Sequence, residues 1–198
     1  KSWSALSSGI TGNVISITPW AGSLYASGFF TSPGASIAKW NGSAWSALGT
    51  GIVDGSTTAI NGQKTVFNNI LHAVGQFSIA GGFSASNIAK WNGSAWSALG
   101  TGLNGAAYGI AVYGGNLYTG GEFTSAGGVA NTSGIAKWNG SSWSAVGTGI
   151  TGGPYTMAVY NNELYVGGAM TAAGGTSVNN IAKWNGSSWS AVGTGITG

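Results

Sequence analysis

The sequence has no cysteine and no arginine, and charged side chains make up only 5% of its 198 residues. Without cysteine there is no disulfide, no thiol nucleophile and no thiolate metal site. This says little about compartment, because many secreted proteins also lack cysteine. Six lysines stand against Asp54, Glu122 and Glu163, so the pI of about 9.3 reflects a net charge of only +3. Nucleic-acid binders displace phosphate counterions with clustered Lys and Arg. Here the lysines are spread along the chain, which argues against a nucleic-acid partner. With three prolines and no three-residue glycine period, a collagen helix is excluded. No apolar run approaches the ~18 residues of a membrane span, and Lys1-Ser2-Trp3 does not read as a signal peptide.

What is present is 38 Gly, 10 Trp and 43% hydrophobic residues, enough apolar surface to bury that disorder is a poor reading. Their arrangement is periodic. The string Ile37 to Gly49 recurs unchanged from Ile88 to Gly100, and returns with two substitutions from Ile135 and Ile181. Upstream of each copy lies a second block, opening at Leu24, Leu71, Leu117 and Leu164, which are 47, 46 and 47 residues apart. A looser third block precedes these, at Ile17–Trp20, Lys64–Phe67, Ile110–Tyr113 and Met157–Tyr160. The units are approximately 7–48, 49–99, 100–146 and 147–192, with 1–6 and 193–198 as partial units.

Each block is a short β-branched or aromatic run bounded by Gly, Asn and Ser, which is strand punctuated by turns. Asn-Gly between two such runs predicts a tight hairpin joining Ile37–Trp40 to Trp45–Leu48 over Asn41-Gly42, and its equivalents in the other units. Asn68-Asn69, Gly114-Gly115 and Asn161-Asn162 mark a second turn. No helical period is visible, and glycine at this density opposes one. One unit is therefore four short antiparallel strands. Units of this size repeated radially are the blades of a β-propeller, because a single small sheet cannot bury both faces until its neighbours stack on it. The Trp pairs Trp40/Trp45, Trp91/Trp96, Trp138/Trp143 and Trp184/Trp189 supply the bulk. A buried aromatic hides roughly 150–250 Å², on the order of 4–6 kcal/mol gross. The expected class is thus all-β: a propeller of four four-stranded blades, as such or as part of a larger propeller or array.

The Gly pairs Gly120-Gly121 and Gly167-Gly168, followed by Trp138 and Trp143 or Trp184 and Trp189, resemble the kelch family over nearly the whole chain. The nearest form is the Gly- and Trp-rich kelch-like repeat of microbial surface proteins and fungal cortical polarity markers. That resemblance implies an extracellular or cell-surface location. Two departures stand out: the Gly pair becomes Ser27-Gly28 and Val74-Gly75 in the first two units, and the arginine common in kelch blades is absent, so no arginine-based partner site carries over. Both ends fall inside a unit, Trp3–Gly12 echoing Trp189–Gly198. The expectations are an excerpt of a larger propeller, a four-bladed ring closed by an overlapping strand, or an open array whose units associate end to end.

Chemistry-bearing residues are few. His72, the single histidine, stands where other units have Tyr25, Tyr118 and Tyr165, and reads as a packing position; with no second histidine and no cysteine, neither a metal nor a cofactor is expected. Asp54, Glu122 and Glu163 occupy non-equivalent repeat positions, a poor basis for the paired carboxylates of glycoside hydrolysis. No catalytic residue is expected, and the chain reads as a non-enzyme. Lys39, Lys90, Lys137 and Lys183 recur in every unit, either as a ring for an anionic partner or as stems covering Trp rings. Trp20 lies outside the paired motif and is a candidate glycan or partner contact. Asn41, Asn92, Asn131, Asn139 and Asn185 each open an N-glycosylation sequon, although the turn alone explains four of them. The leading functional expectation is a structural or adhesive module partnered by itself or by surface molecules. The alternative is a carbohydrate-binding propeller with sites repeated between blades.

Overall fold

The computed structural model describes residues 2, 4–55, 57–58 and 62–197; Trp3 and Gly198, which anchor the match between the two ends, lie outside them. Among the described residues every regular element is a strand. The first unit is an antiparallel meander of β1 (Gly12–Trp20), β2 (Ser23–Phe30), β3 (Ile37–Trp40) and β4 (Trp45–Ala47). The second runs through β5 (Ile52–Asp54), β6 (Thr57–Thr58), β7 (Lys64–Phe67), β8 (Ile70–Val74), β9 (Ile79–Ala80), β10 (Phe83–Ser84), β11 (Ile88–Trp91) and β12 (Trp96–Ala98). The third has β13 (Ala107–Tyr113), β14 (Asn116–Gly121), β15 (Ile135–Trp138) and β16 (Trp143–Ala145). The fourth has β17 (Ile150–Tyr160), β18 (Glu163–Ala173), β19 (Thr176–Ser177), β20 (Ile181–Trp184) and β21 (Trp189–Ala191).

Five antiparallel sheets result, one more than the units, and the sequence explains the extra one. In the fourth unit β17 and β18 form one ladder from Tyr160↔Glu163 to Ile150↔Ala173, with register shifts at Thr151/Gly152 and Pro154/Thr156. In the second, the matching pair Ile52↔Ala80 belongs to a small separate sheet of β5, β6, β9 and β10. Ile52 to Lys64 is twelve residues, whereas Ile150 to Met157 is seven, so the inserted segment divides one long strand in two. The first unit departs in the opposite sense. Tyr25 to Ile37 is twelve residues against sixteen from Tyr165 to Ile181, and the β18–β19 hairpin has no counterpart there.

The turns divide into two kinds. Asn68-Asn69 and Asn161-Asn162 have both residues at positive φ, as a two-residue hairpin requires. The Asn-Gly turn differs from the expected form. Asn139 is not at positive φ; its Oδ1 instead accepts the backbone N–H groups of Ser141 and Ser142, each at 2.9 Å, and the Ser141 hydroxyl at 3.0 Å. Only Gly140 takes the left-handed conformation, φ +108°. Asn41, Asn92 and Asn185 build the same side-chain-closed loop. The hairpin is where the sequence predicts it, closed over four residues rather than two because the asparagine side chain does the closing.

Burial is organised between units. Tyr25 and Ile37 of the first unit share a core with Leu71 and Trp91 of the second. Val74 and Ile88 share the next with Leu117 and Trp138, and Tyr118 and Ile135 the last with Leu164 and Trp184. β1 packs on β7, β7 on β13 and β13 on β17, so these strands line one side of the row. The row bends towards that side: Gln63, ahead of β7, donates from Nε2 to Thr156 Oγ1 on β17, two units away, at 3.4 Å. Among the described residues the outer faces of the first and fourth units stay exposed, and no closed ring is formed.

Candidate functional site

The feature that recurs most regularly is the seam between consecutive units. On each unit the two motif tryptophans lie opposite one another, Trp138↔Trp143 for example, with ring centroids 5.2 Å apart. The outer one crosses the seam. Trp96 Nε1 donates to the Leu48 carbonyl, Trp143 Nε1 to that of Leu99 and Trp189 Nε1 to that of Val146, each at 3.1 Å. An indole buries a large apolar body and needs one acceptor for its N–H. A carbonyl at the end of the preceding unit's last strand supplies that acceptor three times over. In the first unit Trp45 Nε1 is buried with no partner.

Lys64 is a residue that sequence reasoning did not single out. It lies on β7 at the position of Ile17, Ile110 and Met157, and it is buried. Its Nζ donates across the first seam to the Ser16 carbonyl at 3.0 Å and to the hydroxyl of buried Ser27. Burial pushes its pKa down to about 7. Ser27 likewise stands where other units have Val74, Gly120 and Gly167. The signal was therefore in the repeat: two polar residues in two otherwise apolar or small columns, one facing the other across a seam.

At the seam between the second and third units opens a cleft of about 560 Å³ lined by Gln76, Ser78, Asn87, Asn104, Asp54 and Glu122 among others. A cleft of about 360 Å³ repeats at the next seam, where Glu122, Thr124, Gly134 and Thr151 take the equivalent positions. Asn87 and Asn104 are structural: Asn87 accepts from Phe77 N–H and donates to the Leu103 carbonyl, while Asn104 accepts from Thr124 and Ser125 N–H. Glu122 accepts a hydrogen bond from Tyr108 at 3.1 Å, and burial first, then Glu122, raises the Tyr108 pKa. Asp54 and Glu122, unrelated by repeat position, line this one cleft.

His72 is buried, contacts the Ile70 carbonyl through Nδ1 at 2.9 Å and meets Phe67 edge-on; burial lowers its pKa to about 4. Lys39, Lys90, Lys137 and Lys183 are half-exposed on the third strand of their respective sheets, opposite Tyr25, His72, Tyr118 and Tyr165. The structure distributes these lysines one to a sheet. Lys183 pairs with Glu163 at 2.9 Å, which raises the lysine's pKa. Trp20 is half-buried against Tyr25, donates to Asn69 Oδ1 at 3.4 Å and lines, with Pro19, Leu24 and Trp40, an apolar cleft of about 220 Å³. The sequon residues Asn41, Asn92, Asn139 and Asn185 are exposed and held by their turns, and exposed Asn131 sits at φ +59° beside buried Thr132. Among the described residues no three His, Asp or Glu side chains gather as a metal site would require, and no helix is long and apolar enough to cross a membrane.

No protein-family model and no curated protein matches this chain. Among solved structures it is similar to the computationally designed Ika4 protein, at 13% identity and a TM-score of 0.52, over 89% of this chain and 93% of that one. It is also similar to the computationally designed Ika8 protein, at 10% identity and a TM-score of 0.48, over 87% of this chain and 46% of that one. At such identity the Ika4 likeness bears on the fold alone.

Proposed function

We propose that this chain is a non-catalytic structural module of propeller type, kelch-like in its repeat, that acts outside the cell or on its surface through assembly or surface contact. The carrying observation is that one seam design is used three times within the chain, while its two halves stand uncovered on the first and fourth units. Repeat units stabilise one another chiefly through nearest-neighbour seams, so an uncovered half is a site for association. The inward bend of the row and the lining of one side by β1, β7, β13 and β17 support the propeller reading. The near absence of charge leaves shape and hydrogen bonding to select the partner.

Light scattering and negative-stain microscopy over a concentration series test this reading. Particles well above the chain's 19.6 kDa, growing with concentration, are expected. A monodisperse 19.6 kDa species at every concentration, indifferent to any surface offered, would overturn it.

A second reading, carbohydrate binding, is favoured by the clefts repeated at equivalent positions of two seams and lined with hydroxyl and amide groups. Linked weak sites gain by avidity. Calorimetric titration with neutral oligosaccharides should then give about one site per cleft, with only the site between the second and third units lost on Gln76→Ala. Silence across a broad panel would remove this reading.

A further inference from the structure

Each outer face of the row carries one half of the seam. On β7, β13 and β17 the residues Lys64, Ile110 and Met157 are covered by the preceding unit and 6%, 4% and 8% exposed; Ile17, their equivalent on β1, is 61% exposed. On the opposite face Phe67 and Tyr113 are covered by the following unit at 4% and 7%, whereas Tyr160 is 64% exposed. Trp45 is half-exposed where Trp96, Trp143 and Trp189 are buried, and its indole N–H lacks the acceptor that each of those has. Leu6, which has the acceptor's repeat position ahead of the first unit, is 43% exposed and does not provide it. Val192, the acceptor's equivalent on the fourth unit, is half-exposed where Leu48, Leu99 and Val146 are buried.

We propose that these two faces meet in trans: the fourth unit of one copy stacks on the first unit of a second copy, in the register of the three internal seams. The proposal rests on the assembly reading and names its partner and geometry. In that register Val192 of one copy covers the half-exposed Trp45 ring of the next. Tyr160 of the copy that supplies Val192 reaches the Gly22 carbonyl of the copy that supplies Trp45, as the Tyr113 hydroxyl reaches the Asn162 carbonyl at 3.1 Å. Ile17 lies against Ala158, as Lys64 lies against Thr18, whose hydroxyl donates to the Lys64 carbonyl at 3.3 Å. A second copy is favoured over an unrelated protein because each face already fits the other's repeat within the chain, and Ile17 in place of Lys64 brings no charge into the seam. The trans seam differs in one respect. The hairpin glycines Gly81, Gly127 and Gly174, whose N–H groups bond Gly51, Gly102 and Gly149, have no counterpart in the first unit's shortened loop. Head-to-tail contact of this kind is heterologous, so it closes a ring or propagates a filament.

The chain's lack of cysteine makes the test specific. Two single variants at exposed positions, Ile17→Cys and Ala158→Cys, are prepared separately, mixed and oxidised, with Ala111→Cys/Met157→Cys inside one chain as the geometric control. A disulfide-linked dimer is expected in the mixture, at least tenfold above either variant alone, with sedimentation of the native chain showing concentration-dependent association. Association without the mixed cross-link overturns this register and leaves the assembly reading standing. Equal cross-linking in the single variants also overturns it, since a two-fold face would pair like with like. No association at any concentration overturns both.

Discussion

Lys64 shows most directly how one residue tunes a seam. Its amine is buried, held by two oxygens from the first unit, and its pKa is lowered from 10.5 to about 7 by desolvation. Between those values the unfolded chain binds a proton that the folded chain does not, so stability rises with pH across that window. The slope is at most about 1.4 kcal/mol per pH unit, and it flattens below about pH 7, where both states carry the proton. Urea denaturation from pH 6 to 10 should show this rise, and Lys64→Met, the residue of the fourth unit, should abolish it. The single variant leaves buried Ser27 without its donor, which costs about 1–3 kcal/mol. Lys64→Met with Ser27→Val restores two apolar columns and should recover that loss. A pH-independent native stability would refute the assignment. Neither polar residue breaks the strand pattern, so the sequence shows the substitution but not that the two side chains meet across the first seam.

At the scale of the element, the repeated Asn-Gly loop carries more than a turn. Asn139 Oδ1 accepts from two backbone amides and two hydroxyls, so Asn139→Ala removes the acceptor that closes β15 onto β16. A loss of about 1–2 kcal/mol is expected in chemical denaturation, while Asn139→Asp, which keeps the oxygen, stays within about 0.5 kcal/mol. If both substitutions were neutral, the loop would be held by the strands alone. The hairpin's place was legible from Asn-Gly and the flanking Trp pair. Its closure was not, because propensity reports what φ a residue tolerates and cannot say which side-chain oxygen finds which N–H. Strand continuity was likewise hidden. β17 is one strand while its second-unit equivalent is split into β5 and β7 by an insertion that the Leu-to-Leu spacing conceals, since a four-residue deletion after Tyr25 falls inside the same Leu24-to-Leu71 interval and offsets it.

For the whole molecule, the seam is the unit of energy. Trp143 is buried between the second and third units, so Trp143→Ala should cost about 3–5 kcal/mol, part of it a cavity and part an unpaired Leu99 carbonyl. Trp45→Ala, half-exposed and without an acceptor in the single chain, should cost under about 2 kcal/mol in dilute solution and more where copies associate. Denaturation of both variants at low and high protein concentration checks this. Equal losses, independent of concentration, would mean the first unit's face is not a working half-seam. The same nearest-neighbour logic predicts that amide protection peaks in the second and third units and is lowest along β1, most of which is exposed.

The sequence by itself determined the all-β class, the four-fold repeat, the place of the Asn-Gly hairpin between the paired tryptophans and the packing position of His72. Each of these follows from periodicity and residue size, which are local properties. Only the tertiary structure decided that Lys64 faces Ser27, that Asp54 and Glu122 share a cleft, and that the row leaves opposite half-seams uncovered on its first and fourth units. Those depend on the angle at which one sheet stacks on the next, a small rotation summed over every seam, which no single repeat encodes in its own residues.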